Sequence, residues 1–91
     1  MRSIPRGCTA YKSTPTFTET SVPAGLLKAH QTKSGTWGKI IVLEGELIYR
    51  ILEPEVEEYT LDSVRFGVVE PGVLHEVAPR GKVQFYVEFY R

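Results

Sequence analysis

The sequence is short of residues that carry chemistry. Of its 91 residues, only two are histidine (His30 and His75) and one is cysteine (Cys8). The single cysteine excludes an intrachain disulfide and is typical of a reducing compartment. A site that uses imidazole groups must include His30, His75 or both, so substitution of these two residues tests any such hypothesis.

Strong net charge and long apolar runs are absent as well. Eleven basic and eleven acidic residues cancel, so no overall field favours nucleic acid or an anionic membrane. No apolar run approaches the roughly 20 residues of a membrane span, and residues 1–7 lack the apolar centre of a secretory signal. We therefore expect one cytoplasmic domain covering residues 1–91, with neither a nucleic-acid nor a membrane partner.

The chain does contain many short segments of β-type composition, separated by Gly and Pro. Val, Ile, Leu, Tyr and Phe dominate them, residues 83–90 alternate strictly, and no segment has helical periodicity. A turn or a bulge is expected at Glu44-Gly45-Glu46, and an acidic loop at 53–58. The pattern predicts an all-β barrel or sandwich. The predicted strands are 39–43, 47–52, 59–61, 65–69 and 83–90.

The first third of the chain is harder to assign. Prolines at positions 5, 15 and 23 exclude a regular helix there. We expect residues 11–20 to lie as irregular extended chain over the core. Residues 25–30 are flanked too closely by Pro, Gly, Ser and Thr for a stable helix, so they are predicted to form a strand.

The C-terminal segment suggests a hairpin. If Arg80-Gly81 is a two-residue turn, His75 pairs with Tyr86, and Glu88 is its diagonal neighbour on the same face. The opposite face then carries an apolar stripe. A loop one residue longer or shorter would reverse the assignment. The stripe consists of Val83, Phe85, Val87 and Phe89.

Two segments resemble the signature motifs of the cupin superfamily, small β-barrels that often carry a metal in the barrel mouth. Residues 70–77 form a Pro-Gly turn that leads His75 onto a strand, and residues 43–50 are two apolar halves joined at Gly45. The usual His-x-His falls here on residues 32–34, the motif glutamate falls on Gly38, and the trailing asparagine is missing. The standard four-ligand cupin site is therefore excluded.

A narrower resemblance covers nearly the whole chain. The run Val22–Lys39, the turn Pro71-Gly72-x-x-His75 and the last strand through Tyr86-Val87-Glu88-Phe89 resemble the TehB-like family. These are small cupin-like domains, found alone or in front of a methyltransferase and associated with tellurite resistance. The resemblance implies a cupin-like double-stranded β-barrel (jelly roll) of about eight strands. It implies less about function, and methyl transfer is not carried over because no strand-linked G-x-G-x-x-G occurs.

The hairpin and the resemblance together suggest a metal site of His30, His75 and Glu88. Two imidazoles and a carboxylate with open positions suit zinc or iron. Trp37 and Tyr86 are expected to line the pocket. In the alternative interpretation, Glu88 faces solvent and the histidines hydrogen-bond locally. The fallback carboxylates are Glu44, Glu46 and Glu76.

Three functions remain open at this point. The protein binds a divalent metal and a small ligand or oxyanion in a stress-related role, or it is a metal-dependent enzyme of oxygenase or hydrolase type, or it is a metal-free regulatory or interaction module. The apolar stripe on the C-terminal strand, if it points outward, needs a cover. Either the N-terminal segment or a second subunit covers it, and on this basis we expect a homodimer, the commonest symmetric oligomer.

Overall fold

The computed structural model describes all 91 residues, and the prediction of an all-β protein is confirmed. All strand pairings are antiparallel. The structure contains no helix with the length and apolarity that crossing a membrane would need. The elements are β1 (Ala10–Ser13), β2 (Phe17–Thr18), a 3-10 helix (Ala24–Leu27), β3 (Trp37–Ile51), β4 (Glu57–Leu61), β5 (Gly67–Val69) and β6 (His75–Tyr90).

Two long strands form the centre of the sheet. β3 and β6 pair along nearly their whole length, with Trp37 opposite Tyr90 at one end and Ile51 opposite His75 at the other. β1 and β2 lie along the remaining edge of β6, and β4 and β5 lie along the remaining edge of β3. Every shorter strand is therefore positioned by this central ribbon.

A β-bulge at Gly45 divides the ribbon into two halves. The register between β3 and β6 shifts between Val42 and Glu44 and again between Glu44 and Glu46, the interval that contains Gly45, which has a φ of 79°. A Cβ atom at this position would lie 2.1 Å from the carbonyl oxygen of Lys82, so only glycine fits. The bulge also changes which residues of β3 point inward. Even-numbered residues up to Val42 are buried before it, and odd-numbered residues from Leu47 are buried after it. The predicted segments 39–43 and 47–52 are thus one bulged strand.

The buried rows of both halves meet in one core. Both ends of β6 contribute to the same interior, since His75 and Val77 from its beginning and Phe85 and Val87 from its end line one cavity. The ribbon must therefore bend back over itself at the bulge. The core cluster consists of Ile40, Val42, Leu47, Tyr49, Ile51, Leu61, Val69, Val77, Val83 and Phe85.

The predicted C-terminal hairpin is wrong. β6 continues through Arg80-Gly81 without turning back, because β3 supplies a partner for both of its halves: Glu46 pairs with Arg80, and Glu44 pairs with Gln84. Gly81 has a φ of 69° and lies opposite the bulge in β3. The positive φ that glycine permits here accommodates a bend instead of a hairpin turn.

In residues 83–90 the inward and outward faces of β6 are consequently the reverse of the expected ones, whereas His75 points inward as expected. Val83 and Phe85 are buried in the core, and Val87 and Phe89 line the interior cavity. The apolar stripe needs no second subunit to cover it. The stripe therefore gives no reason to expect a homodimer.

The N-terminal third also differs from expectation. Part of the segment 11–20 pairs with β6 as β1 and β2 and is not irregular. The strand predicted at 25–30 is instead a 3-10 helix at Ala24–Leu27, closed by a 2.9 Å hydrogen bond from the Leu26 amide to the Pro23 carbonyl. Only His30 joins the sheet, through an isolated bridge to His75. The sheet has six strands, fewer than the eight expected.

Candidate functional site: a cavity closed by two histidines

An apolar cavity of about 260 Å³ lies between the two halves of the bent sheet. Its walls come from β2, the 3-10 helix and the inward rows of β3, β5 and β6. The only ionisable side chains that line it are the two histidines. The lining residues are Thr14, Phe17, Pro23, Gly25, Leu26, His30, Thr32, Ile40, Val69, His75, Val77, Phe85, Val87 and Phe89.

His30 and His75 are brought together by backbone pairing. The His75 amide donates to the His30 carbonyl at 2.7 Å, and the His30 amide donates to the His75 carbonyl at 2.8 Å. The two rings lie edge to face with centroids 5.3 Å apart. His75 is only 5% exposed, whereas His30 is exposed at the mouth of the cavity. The sequence prediction that these two histidines form one site is consistent with this arrangement.

The hydrogen bonds of His75 fix its tautomer. Its Nδ1 lies 3.1 Å from the Val73 carbonyl oxygen, which can only accept, so the neutral ring carries its proton on Nδ1. Nε2 then holds the lone pair and has no protein partner. Because no fully buried side-chain nitrogen or oxygen lacks a hydrogen bond, Nε2 must reach accessible space. We conclude that the lone pair of His75 is available to a bound molecule.

Burial also keeps His75 uncharged. Desolvation lowers the pKa of His75 below its ordinary value, the neighbouring His30 lowers it further, and the hydrogen bond to Val73 opposes both effects. At neutral pH the side chain is therefore a neutral imidazole. Such a ring can accept a hydrogen bond or ligate a metal through Nε2.

Tyr49 packs against His75 from the core. The two ring centroids are 6.0 Å apart in an edge-to-face arrangement. The Tyr49 hydroxyl is fixed by a 2.8 Å hydrogen bond that it donates to the Val68 carbonyl. Burial raises the pKa of Tyr49 far above its ordinary value, so the phenol stays neutral. Tyr49 supports the orientation of His75 and is not an acid or base of the site.

Glu88, Trp37 and Tyr86 are not part of this cavity. Tyr86 and Glu88 alternate along β6 with residues that line the cavity, so their side chains point to the outer face. There Glu88 lies opposite Lys39 and accepts a hydrogen bond from the Tyr90 hydroxyl. Trp37 lies on the same outer face, opposite Tyr90. The hairpin register that put Glu88 beside His75 does not occur.

The fallback carboxylates do not replace Glu88. Glu76 forms a 3.1 Å ion pair with Arg50, and Glu44 and Glu46 flank the exposed bulge. No three His, Cys, Asp or Glu side chains are grouped closely enough to hold a metal ion. The structure therefore offers two imidazoles at the cavity mouth and no carboxylate beside them.

A second, polar cavity of about 590 Å³ adjoins the first. Three of its lining residues, His30, Thr32 and Phe89, also line the apolar cavity. Lys33, in the loop before β3, lines it. Lys12 on β1 and Arg91 after β6 were missed, since only the β1–β6 pairing brings them to Lys33. The complete lining is Tyr11, Lys12, His30, Gln31, Thr32, Lys33, Ser34, Gly35, Thr36, Phe89 and Arg91.

The fold and the site define a small all-β domain with a histidine pair at the mouth of an apolar cavity. The profile of the family described as the TehB-like domain matches residues 12–87. The chain belongs to this TehB-like family, as its sequence motifs indicated.

A curated relative supports the same assignment. The probable S-adenosyl-L-methionine-dependent methyltransferase TehB of Haemophilus influenzae is 35% identical over 71 residues, which are 74% of this chain and 25% of that protein. The chain thus spans about a quarter of the length of the curated relatives that it matches.

Solved structures agree on the fold. The crystal structure of a protein from E. coli (strain K12) superimposes with a TM-score of 0.90 and covers 100% of this chain and 97% of that one. At 22% identity it supports the fold alone. The crystal structure of TehB from Haemophilus influenzae has a TM-score of 0.83 and 31% identity, and covers 91% of this chain and 31% of that one.

Proposed function

We propose that this TehB-like domain binds a small ligand in the apolar cavity, with the His30–His75 pair as the polar end of the site. One observation carries the proposal: a cavity of about 260 Å³ whose only ionisable lining groups are two adjacent imidazoles. A concave apolar site with a few convergent polar groups is the usual form of a ligand pocket. Because no further acid or base lines the cavity, binding is favoured over turnover.

The fold around the cavity is the second part of this proposal. We infer that the bent sheet corresponds to a cupin-like jelly roll, with the site in its mouth. The bend at Gly45 supports this inference, since it brings residues from both ends of β6 to one interior. The cellular role that we propose is the one implied by the resemblance, a cytoplasmic stress-related function of the tellurite-resistance type. The name methyltransferase describes the full-length Haemophilus influenzae relative, of which this chain matches only a quarter. The proposal does not depend on that activity.

A neutral ring-sized probe tests the binding proposal. An apolar cavity of about 150 Å³ is large enough for benzene, so the present cavity should accept benzamide. We expect saturable binding of benzamide at one site per chain in a calorimetric or NMR titration. Absence of saturable binding up to the solubility limit of the probe would refute the proposal.

We also propose that the histidine pair holds a divalent metal, zinc or iron, with the remaining positions supplied by water or by the ligand. Two imidazoles that share a metal at about 2.1 Å from each nitrogen have ring centroids roughly 5 Å apart, close to the 5.3 Å found here. The Nδ1 hydrogen bond to Val73 is the kind of outer contact that orients metal-bound histidines. A bound metal would supply Lewis acidity, which is what the enzyme alternative would require.

Zinc titration of untagged protein tests this metal site. We expect one equivalent of zinc to bind the wild-type protein and no stoichiometric binding to His75→Ala. The variant Glu88→Gln is the matched control: it should bind like wild type, because Glu88 points to the outer face. Full zinc binding by His75→Ala would contradict the histidine-pair site.

We propose that the protein is a homodimer, now on different grounds. Val64 is 90% exposed, and with the half-exposed Phe66 and with Ile41 it lines a shallow groove on the outer surface. Adjacent apolar side chains of this kind often mark an interface. Light scattering at micromolar concentration should give the mass of a dimer, and Val64→Lys should give a monomer. A monomeric wild-type protein would reject the proposal.

A further inference from the structure

The polar cavity beside the ligand site has an uneven charge. Lys12, Lys33 and Arg91 line it, together with hydroxyl groups, and no acidic residue does. The chain as a whole has as many acidic as basic residues, so this local excess of positive charge is not a property of the composition. We call this cavity the cationic vestibule.

The three cations of the vestibule are free of ion pairs. All of the ion pairs in the structure are formed by the N-terminus, Arg2 and Arg50. The guanidinium of Arg91 lies over the ring of Tyr11, 4.0 Å from its centroid, a stacking that restrains the group while its N–H edges stay available. Converging cations without carboxylate partners attract anions and can donate charge-assisted hydrogen bonds to them.

The vestibule and the apolar cavity meet at a shared wall. His30, Thr32 and Phe89 line both, so a molecule that occupies one cavity can extend into the other. One end of such a molecule would contact aliphatic side chains and Phe85, and the other end would contact Lys and Arg. The combination fits a ligand with an apolar body and a single anionic group.

We propose that the ligand of this domain is a small carboxylate with a compact apolar body, aromatic or branched aliphatic. Its carboxylate lies among Lys12, Lys33 and Arg91, and its body lies in the cavity past His30 and Phe89. This inference rests on the proposed function, because it uses the same cavity. An inorganic oxyanion would occupy only the vestibule and leave the apolar cavity unused.

Two nearly isosteric probes test the charge recognition. Benzoate and benzamide share a ring and a planar head group, but only benzoate is charged at neutral pH. We expect benzoate to bind the wild-type protein at least tenfold more tightly than benzamide at low salt. In the double variant Lys33→Gln/Arg91→Gln, which keeps only Lys12, benzoate affinity should fall towards that of benzamide, whose affinity should not change. Lys82→Gln, an exposed cation opposite the bulge, is the control and should bind both probes like wild type.

The outcomes separate this inference from the proposed function. If neither probe binds, the ligand cavity itself is rejected. If both bind equally and the double variant changes nothing, the cavity stands and the carboxylate assignment is rejected. If inorganic phosphate binds as tightly as benzoate and competes with it, the apolar body contributes nothing and the ligand class is wrong.

Discussion

Gly45→Ala should destabilise the protein by about 3 kcal/mol or more, a loss at the upper end of single-residue effects. The added Cβ would lie 2.1 Å from the Lys82 carbonyl oxygen, and the φ of 79° is unfavourable for any residue with a side chain. Relief requires movement of the backbone where β3 and β6 pair. Urea denaturation followed by the fluorescence of the single tryptophan, Trp37, measures the change.

Gly81→Ala is the matched control for this prediction. Gly81 also has a positive φ, 69°, but no atom lies within 4 Å of the position that its Cβ would take. The free energy of unfolding should fall only by the cost of the left-handed conformation, about 1–2 kcal/mol. Equal losses in both variants would show that the close approach of β6 to Gly45 is not what fixes the bulge.

Val87→Phe should abolish the binding of benzamide while the protein stays folded. Val87 lines the apolar cavity and contacts the core, so a larger side chain would occupy the space that the ligand needs. Because the added volume enters existing space, we expect less destabilisation than the roughly 1–3 kcal/mol of overpacking a filled core. Calorimetric titration with benzamide, together with a thermal melt, measures both effects.

The control for cavity filling is Ile41→Phe. Ile41 is also β-branched, but it lies opposite Tyr86 on the outer face, where it lines the shallow groove. The variant adds the same kind of bulk outside the ligand cavity and should keep benzamide affinity within about twofold. If Ile41→Phe abolished binding and Val87→Phe did not, the ligand would have to bind the outer face.

Much of the fold could be predicted from local sequence. Strand composition after Lys39 identified the sheet, and the Glu-Gly-Glu segment indicated a turn or a bulge, of which the structure has the bulge at Gly45. The Pro-Gly turn and the family resemblance brought His30 and His75 to one site, although the local structure predicted around His30 was wrong. Local signals were sufficient here because each depends on a turn residue or on a run of strand-forming side chains.

The remaining part of the site depended on strand pairing, which local sequence does not specify. The predicted hairpin at Arg80-Gly81 assumed that β6 pairs with itself, whereas it pairs with β3 through a double bulge. That single change of partner moved Glu88 and Tyr86 to the outer face, and it moved Phe85 and Val87 to the inside. Since side chains alternate with a period of two, one wrong register reverses every residue of a strand.

Lys12 and Arg91 are a second case in which local sequence does not predict which residues share a site. They are 79 positions apart, and only the pairing of β1 with the end of β6 brings them to the same cavity. Each cation alone is indistinguishable from a solvated surface residue. The signal that could have found them is the Tyr-Lys and Tyr-Arg pattern of the two strand ends, which has a meaning only once their antiparallel pairing is known.

The side-chain ¹⁵N NMR spectrum of the two histidines, recorded with and without benzamide, tests whether the His75 ring contacts a ligand in the apolar cavity. With only His30 and His75 in the chain, the variant His75→Ala assigns both rings. We expect that free His75 is neutral at pH 7 with its proton on Nδ1, and that benzamide shifts the Nε2 resonance of His75 saturably. A proton on Nε2 in the free protein, or saturable benzamide binding that leaves both rings unshifted, would contradict this expectation.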